Sequence, residues 1–391
     1  METDLRRTWA EIDLDALAHN FETLRAHLPA GTKMLAVIKA DGYGHGAVRL
    51  AEVLAEHDAA YFAVANADEA EQLRKGGVTL PILILGFTPQ DQVKRLLRFD
   101  ITQCVPDIET ARAYRDALKG EKKRLKIHVK LDTGMSRLGF RCDDARFDES
   151  LSEIREMLSF DCFEAEGIFT HFSVSDEEGA SDRDYTNLQH ARFVRMYEAV
   201  EEQTGHVFLL HHCANSGAIA QYPQFAHDMA RCGIILYGAG DLAAPAGCRP
   251  VMTLKSAVAS VKEYGPETCV SYGRTYVTKD VSRIAVLPVG YADGLFRSLS
   301  GKLIVKTPYG DAPQVGRVCM DMCMIDVTAY PEIRIGDEVT VFGAENTVTE
   351  LAKQCGTISY ELLCAVSKRV PRLYYRDGNC IARDLTILAG M

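Results

Sequence analysis

Short apolar runs alternate with longer amphipathic stretches from residue 34 to about residue 235. The runs, at 34–40, 61–66, 81–87, 101–105, 126–132, 164–173, 209–216 and 227–231, are rich in Val, Ile and Leu. Parallel strands buried on both faces have this texture, and the amphipathic stretches between them read as crossover helices. Eight strand and helix repeats in about 200 residues predict an α/β fold of the closed (β/α)8 kind rather than an open doubly wound sheet. A helix over 15–28 is predicted ahead of the barrel. Past about residue 245 the pattern turns to alternating segments, at 254–261, 283–289, 302–306 and 338–342. Turn signals at Tyr309-Gly310-Asp311 and Ile335-Gly336-Asp337 separate them. This predicts a β-rich C-terminal domain with one helix near 348–354, and a division into a barrel at 1–244 and a β-rich domain at 245–391.

Composition narrows the function classes. The chain has 391 residues, 47% of them hydrophobic, enough for one large core and a smaller one. A net charge of −10 with no basic run offers nothing to neutralise a phosphate backbone, so neither nucleic acid nor an anionic membrane is an expected partner. No stretch approaches ~18 uncharged apolar residues and the first nine residues lack a signal-peptide core, so the expected setting is cytoplasmic. The twelve cysteines are scattered singly and are expected to be reduced. With no CxxC pair, and with His211 and His212 adjacent rather than spaced as ligands, no metal site is expected.

Lys39 stands at the end of the first predicted strand, before the glycine-rich turn Asp41-Gly42-Tyr43-Gly44-His45-Gly46. A lysine at the carboxyl end of a barrel strand faces the side where barrel enzymes keep their active sites. Partial desolvation there lowers its pKa toward the neutral amine that attacks a carbonyl. From position alone, a lysine reaching to solvent is the stronger reading. The whole run from Val37 to Gly46 settles the matter, because it resembles the cofactor-lysine signature of the alanine racemase family. The resemblance continues through 130–140, Thr170-His171-Phe172, Asn215-Ser216, 231–238, Ser271-Tyr272-Gly273, 290–294, 316–321 and 357–361.

The resemblance implies pyridoxal 5'-phosphate as cofactor, held by Lys39 as a Schiff base, and interconversion of L- and D-alanine, which supplies D-alanine for peptidoglycan. It implies that Tyr43, Ser216 and Tyr360 give hydroxyls, and Gly233 and Ile234 backbone N–H groups, to the cofactor phosphate. Arg231 would face the pyridine nitrogen and His171 would lie beside the ring. Arg137 and the Met320 N–H would take the substrate carboxylate, while Lys130, carbamylated, would support Arg137. Racemisation needs proton exchange on both faces of Cα, so a second base is required. The family's second base corresponds to Tyr272, delivered with Tyr291, Cys319 and Asp321 by the β-rich domain of the other subunit in a head-to-tail homodimer. The alternatives are a serine or broad-specificity racemase of the same fold, a decarboxylase, and a non-catalytic pyridoxal-phosphate-binding barrel. A decarboxylase would carry a cysteine and a glutamate where Tyr272 and Arg231 stand, and a binding protein would end after the barrel.

Overall fold

The structure, a computed structural model, describes residues 7–385. The expected barrel is present. Its eight strands run Lys33–Val37, Tyr61–Val64, Ile82–Ile84, Thr102–Val105, Leu125–Asp132, Phe163–Phe169, Leu210–His212 and Met229–Cys232, and the first seven pair in parallel, each with the next. The eighth pairs in parallel with the first. Between the seventh and eighth, Asp228 N–H donates to the His211 carbonyl at 3.1 Å and Arg231 N–H to the Ala214 carbonyl at 3.0 Å, which draws the ring shut. Nearly every strand residue is buried, so the strands read as continuous apolar runs.

The β-rich unit holds a ten-stranded sheet and a two-stranded antiparallel pair, Cys269–Val270 with Tyr276–Val277. The order of the larger sheet is Ser260–Tyr264, Ser282–Leu287, Cys323–Asp326, Gly310–Val315, Ile304–Thr307, Glu338–Phe342, Met252–Ala257, Thr8–Asp13, Arg372–Arg376 and Asn379–Asp384. Neighbours are antiparallel except Thr8–Asp13 with Arg372–Arg376. The segment read as one strand at 254–261 is two, broken at Val258 and Ala259. Helices Val348–Cys355 and Ser359–Ala365 belong to this unit.

Whereas texture places a single boundary after residue 244, the compact units interleave. Described residues 7–19, 43–46 and 237–385 form one, and residues 20–42 and 47–236 the other. The reason is hydrogen bonding: the alternating segment Thr8–Asp13 spends its backbone donors and acceptors inside the ten-stranded sheet.

Candidate active site

The first barrel strand ends at Val37, two residues before Lys39 and earlier than the apolar run suggests. The chain then winds left-handed, with φ of 51° at Ala40, 54° at Asp41, 63° at Gly42 and 50° at Tyr43. Three of these are not glycine, and each such residue costs about 1 kcal/mol or more unless the surroundings enforce it. Three hydrogen bonds do. Gly42 N–H reaches the Ile38 carbonyl at 2.9 Å, Glu69 Oε1 takes the Ala40 N–H at 2.8 Å, and Asp41 Oδ1 takes the Ala47 N–H at 2.9 Å. A Cβ on Gly42 would sit 2.6 Å from Leu50 Cδ1, so the turn also requires that glycine. Lys39, half-buried, is thus fixed at the carboxyl end of the barrel.

Around that end the barrel carries a cationic group of side chains. Arg231, on the eighth strand, is buried and donates to the Thr170 carbonyl at 2.7 Å, the His212 carbonyl at 2.9 Å and the Cys213 carbonyl at 3.1 Å. Burial draws its guanidinium down to about 10, still cationic at neutral pH. It also donates to His171 Nδ1 at 3.3 Å. An arginine can only donate, so His171 is neutral there and carries its proton on Nε2. Burial holds the His171 imidazole well below its ordinary range, reinforced by the charges of Arg231, Lys130, Arg137 and Lys39. His171 itself lies past the end of the sixth strand, which stops at Phe169 rather than continuing to 173.

Lys130 lies on the fifth strand with its amine 4.7 Å above the Phe169 ring, and Phe169 in turn stacks on His212 at 4.7 Å. Burial, and then the charge of Arg231, pull the Lys130 amine down to about 7. Arg137 acts in the same direction but ranks below Arg231. The resemblance pairs Lys130 with Arg137 alone, and the structure gives Arg231 the larger electrostatic part because it shares the buried interior, whereas Arg137 is exposed on the 133–139 loop.

Ser216 opens the short helix Ser216–Gln221, capped by Asn215, whose Oδ1 takes the Ala218 N–H at 3.0 Å. The Ser216 hydroxyl accepts the Gly233 N–H at 3.0 Å, so the loops after the seventh and eighth strands meet at one point, next to Ile234. Gly217 has a packing reason: a Cβ there would lie 2.7 Å from the Asp176 nitrogen. A hydroxyl, a loop amide and a helix N-terminus together suit a phosphate. In the other unit, Tyr43 is buried and meets Tyr360 edge-on with ring centroids 5.8 Å apart.

Inside the barrel runs a chain of polar groups that sequence reasoning missed. Arg231 donates to His212 Nδ1 at 3.0 Å, His212 Nε2 lies 2.8 Å from His128 Nδ1, and His128 Nε2 lies 3.3 Å from Glu166 Oε1. Because the arginine end can only donate, each imidazole is neutral and passes an Nε2 proton onward to the next acceptor. Tyr61 closes the chain by donating to Glu166. Burial works against the Glu166 charge, but the bonds from His128 and Tyr61 hold its carboxyl below the usual range. The only sequence signal for this chain is polar residues inside apolar strand runs.

In the β-rich unit, Ser271-Tyr272-Gly273 forms a strained turn, with φ of 68° at Ser271 and 48° at Arg274. The Ser271 hydroxyl anchors it to the Arg317 carbonyl at 2.8 Å. Tyr291 N–H bonds the Cys319 carbonyl and Ala292 N–H the Met320 carbonyl, both at 3.0 Å. Gly290 makes this possible, since a Cβ there would lie 2.3 Å from the Cys319 oxygen. Beneath the loops, fully buried Asp293 accepts from Arg7 at 2.8 Å, Arg369 at 2.8 Å and the Gly290 N–H at 2.9 Å, and Arg369 also reaches Asp321 at 2.8 Å. Burial opposes the Asp293 charge, but these bonds hold its carboxyl below the usual range. Asp293, though inside the stretch 290–294, was likewise not singled out by the sequence reading. Tyr272, Cys319, Met320 and Asp321 line a concavity of about 700 Å³, and Tyr272 is 70% exposed and Met320 54%.

The donor set fits a phosphorylated, ring-bearing aldehyde cofactor: a strand-end amine, a buried cation for a ring nitrogen, and a hydroxyl and amide for phosphate. Residues 12–241 match the family described as "Alanine racemase, N-terminal domain" and residues 251–374 that described as "Alanine racemase, C-terminal domain". The alanine racemase of Clostridium perfringens is 42% identical, covering 97% of this chain and 98% of the relative. That of Desulfovibrio desulfuricans is 44% identical over 94% of this chain and 98% of its own. A solved structure of the Clostridium difficile 630 alanine racemase superposes with a TM-score of 0.92 at 38% identity, covering 98% and 99% of the two chains.

Proposed function

Because this chain belongs to the pyridoxal-phosphate-dependent alanine racemase family, we infer that it interconverts L-alanine and D-alanine, making D-alanine available for peptidoglycan. The observation that carries the reading is Lys39 held by an enforced left-handed turn at the carboxyl end of the barrel, where Arg231, Lys130 and Arg137 add positive charge. Such a site suits a substrate and cofactor that are both anionic.

Pyridoxal phosphate, when bound, supplies an electron-accepting ring that makes the Cα–H bond of an attached amino acid acidic. The residues do the rest. The Lys39 amine is the covalent anchor and, once displaced by substrate, the base on one face of Cα. Ser216, the N–H groups of Gly233 and Ile234, and the hydroxyls of Tyr43 and Tyr360 hold the phosphate. Arg231 offers the ring nitrogen a permanent cation, which keeps a proton off that nitrogen and limits side reactions. Arg137 and the Met320 N–H take the carboxylate. Lys130, drawn down to about 7 and so in part a neutral amine at that pH, is the group that adds carbon dioxide, forming an N–C bond and losing an N–H proton to solvent, to become a carboxylate-like support for Arg137. Tyr272 is the base on the opposite face, with His171 ordering its hydroxyl.

Tyr272 comes from a second copy of the chain in a head-to-tail homodimer. Its exposure, beside exposed Met320 and above the braced Asp293, supports a surface made to be covered. A cytoplasmic setting is part of the same reading, supported by twelve free thiols. Among the described residues no helix is long and apolar enough to cross a membrane.

Incubating the purified protein with each L-amino acid and resolving the products chirally tests the reading. D-alanine as the dominant product is expected. A dominant D-serine signal would assign a serine racemase, and no D-product at all would overturn racemisation.

A further inference from the structure

On the outer wall of the barrel, three segments distant in sequence bring together His190, Cys213 and His227. His190 comes from the long helix Ala180–Thr204, Cys213 directly follows the seventh strand, and His227 sits in the turn before the eighth. The side chain of His212 is committed to the barrel interior through His128, and the next residue, Cys213, is directed elsewhere, its thiol donating to the Phe225 carbonyl at 3.0 Å. The Nε2 atoms of His190 and His227 face each other at 3.0 Å. A ring nitrogen of each histidine and the Cys213 sulfur lie within 4.8 Å of one another. The imidazoles are held by aromatic neighbours: His190 stacks on Phe225 at 3.8 Å, and His227 meets Phe193 edge-on at 5.4 Å.

We propose that His190, Cys213 and His227 form a three-ligand site for zinc or a similar divalent ion, with water in the fourth position. Two imidazoles and a thiolate are the donor set that borderline ions prefer, and tetrahedral bonds of ~2.0–2.3 Å put ligand atoms about 3.3–3.8 Å apart. The 3.0 Å nitrogen pair opens to that spacing with a shift of a few tenths of an ångström, and the sulfur, within 4.8 Å of the nitrogens, closes to it with a shift of about an ångström at most. Burial draws the His190 imidazole down to about 4 and lowers that of His227, so both are in the neutral, ligating form at neutral pH. Burial pushes the Cys213 thiol up to about 12, so the ion takes the place of its proton: a metal–sulfur bond forms, the S–H bond breaks and one proton goes to solvent.

The position gives the site a structural consequence. Cys213 stands three residues before Ser216 and His227 four before Arg231. An ion there ties the long helix to the end of the seventh strand and to the turn entering the eighth, the two strands whose following loops carry the phosphate donors. The sequence hid the site because its ligands share no local spacing, only a place in the barrel wall.

The test uses tag-free holoenzyme stripped with a chelator and titrated with Zn²⁺, or with Co²⁺ as a coloured stand-in. One ion per chain is expected, with cobalt showing tetrahedral bands and thiolate-to-cobalt charge transfer in the difference spectrum. Cys213→Ser should lose the charge-transfer band. His190→Gln should weaken zinc binding by more than the ~10–100-fold that loss of an outer-shell partner costs. Zinc should raise the thermal midpoint of the wild type and leave that of His190→Gln unchanged, and this arm decides alone should Cys213→Ser fail to fold. Substoichiometric binding in a large excess of zinc, an octahedral cobalt spectrum, or binding unchanged in His190→Gln overturns the proposal.

Discussion

The barrel interior and the loop face of the β-rich unit carry polar chemistry in opposite ways. In the barrel, His128, His212, Lys130 and Arg231 are buried. A buried polar group without a partner costs about 1–3 kcal/mol, and so His128, His212 and Arg231 are joined into one directed hydrogen-bond chain. In the β-rich unit, Tyr272, Met320 and Tyr291 are exposed on loops, and only their support, Asp293, is buried. The first region is preorganised within a single chain. The second is a braced surface whose tyrosine faces outward, and this contrast is what the proposed shared site between subunits would exploit.

The largest expected effect is at Lys39. Lys39→Ala removes covalent anchor and base together and should lower activity by more than ~10⁴-fold. Borohydride reduction of the wild type followed by peptide mapping checks the premise, since a pyridoxyl group on another lysine would displace Lys39 from its role.

Tyr272→Phe should follow, with a loss of about 10²–10⁴-fold in kcat and cofactor binding unchanged. Subunit mixing then sharpens the comparison. Combining inactive Lys39→Ala and Tyr272→Ala homodimers should restore about a quarter of wild-type activity, because half of the randomly mixed dimers hold one intact site of two. Verified exchange without recovery would place both regions' chemistry in one chain.

For Lys130 the effect is on stability and depends on pH. Its folded value of about 7 lies below the unfolded ~10.4, so between these the unfolded chain binds the extra proton. Stability falls as pH drops from about 10 to about 7 and is level below that. In buffer free of carbon dioxide, Lys130→Met should therefore exceed the wild type at pH 7 by on the order of 4 kcal/mol at ~1.36 kcal/mol per pKa unit, with the margin closing toward pH 10. Added bicarbonate should narrow that margin by carbamylating the lysine, and a ¹³C carbamate resonance would report it. A margin independent of pH would show that the barrel interior does not desolvate this amine.

The smallest effect is expected at Asp293. Its partners Arg7 and Arg369 are partly exposed, so Asp293→Asn should cost about 1–2 kcal/mol rather than the full value of a buried pair. Its folded pKa is depressed, so the contribution is complete above the unfolded value of about 4 and is lost as pH falls through the folded one. Denaturant titration of variant and wild type should show the gap closing in acid. A larger rise in KM for alanine than fall in kcat would mark Asp293 as positioning the Met320 loop.

Legibility in the sequence followed the range of the forces involved. The barrel class was readable because each strand is buried on both faces and each helix on one, which writes period and length into the chain. Lys39, Tyr43 and Gly42 were readable together because a left-handed turn is a local event needing its residues in one run. Ser216 beside Gly233 was readable as loop chemistry after the last two strands. The segment Thr8–Asp13 was not, because a single alternating stretch does not name the sheet it will join.

What the sequence determined by itself was the set of local decisions: which runs become barrel strands, that Lys39 stands at the end of the first, and which turns need glycine. Tertiary structure alone decided which distant side chains share an interior. Arg231, His212, His128 and Glu166 come from four strands, and nothing local in the chain specifies that they will meet inside one closed ring. The same holds for Arg7, Asp293 and Arg369, and for His190, Cys213 and His227. Burial then set their chemistry, since a group's charge state depends on the water and partners that packing removes or supplies.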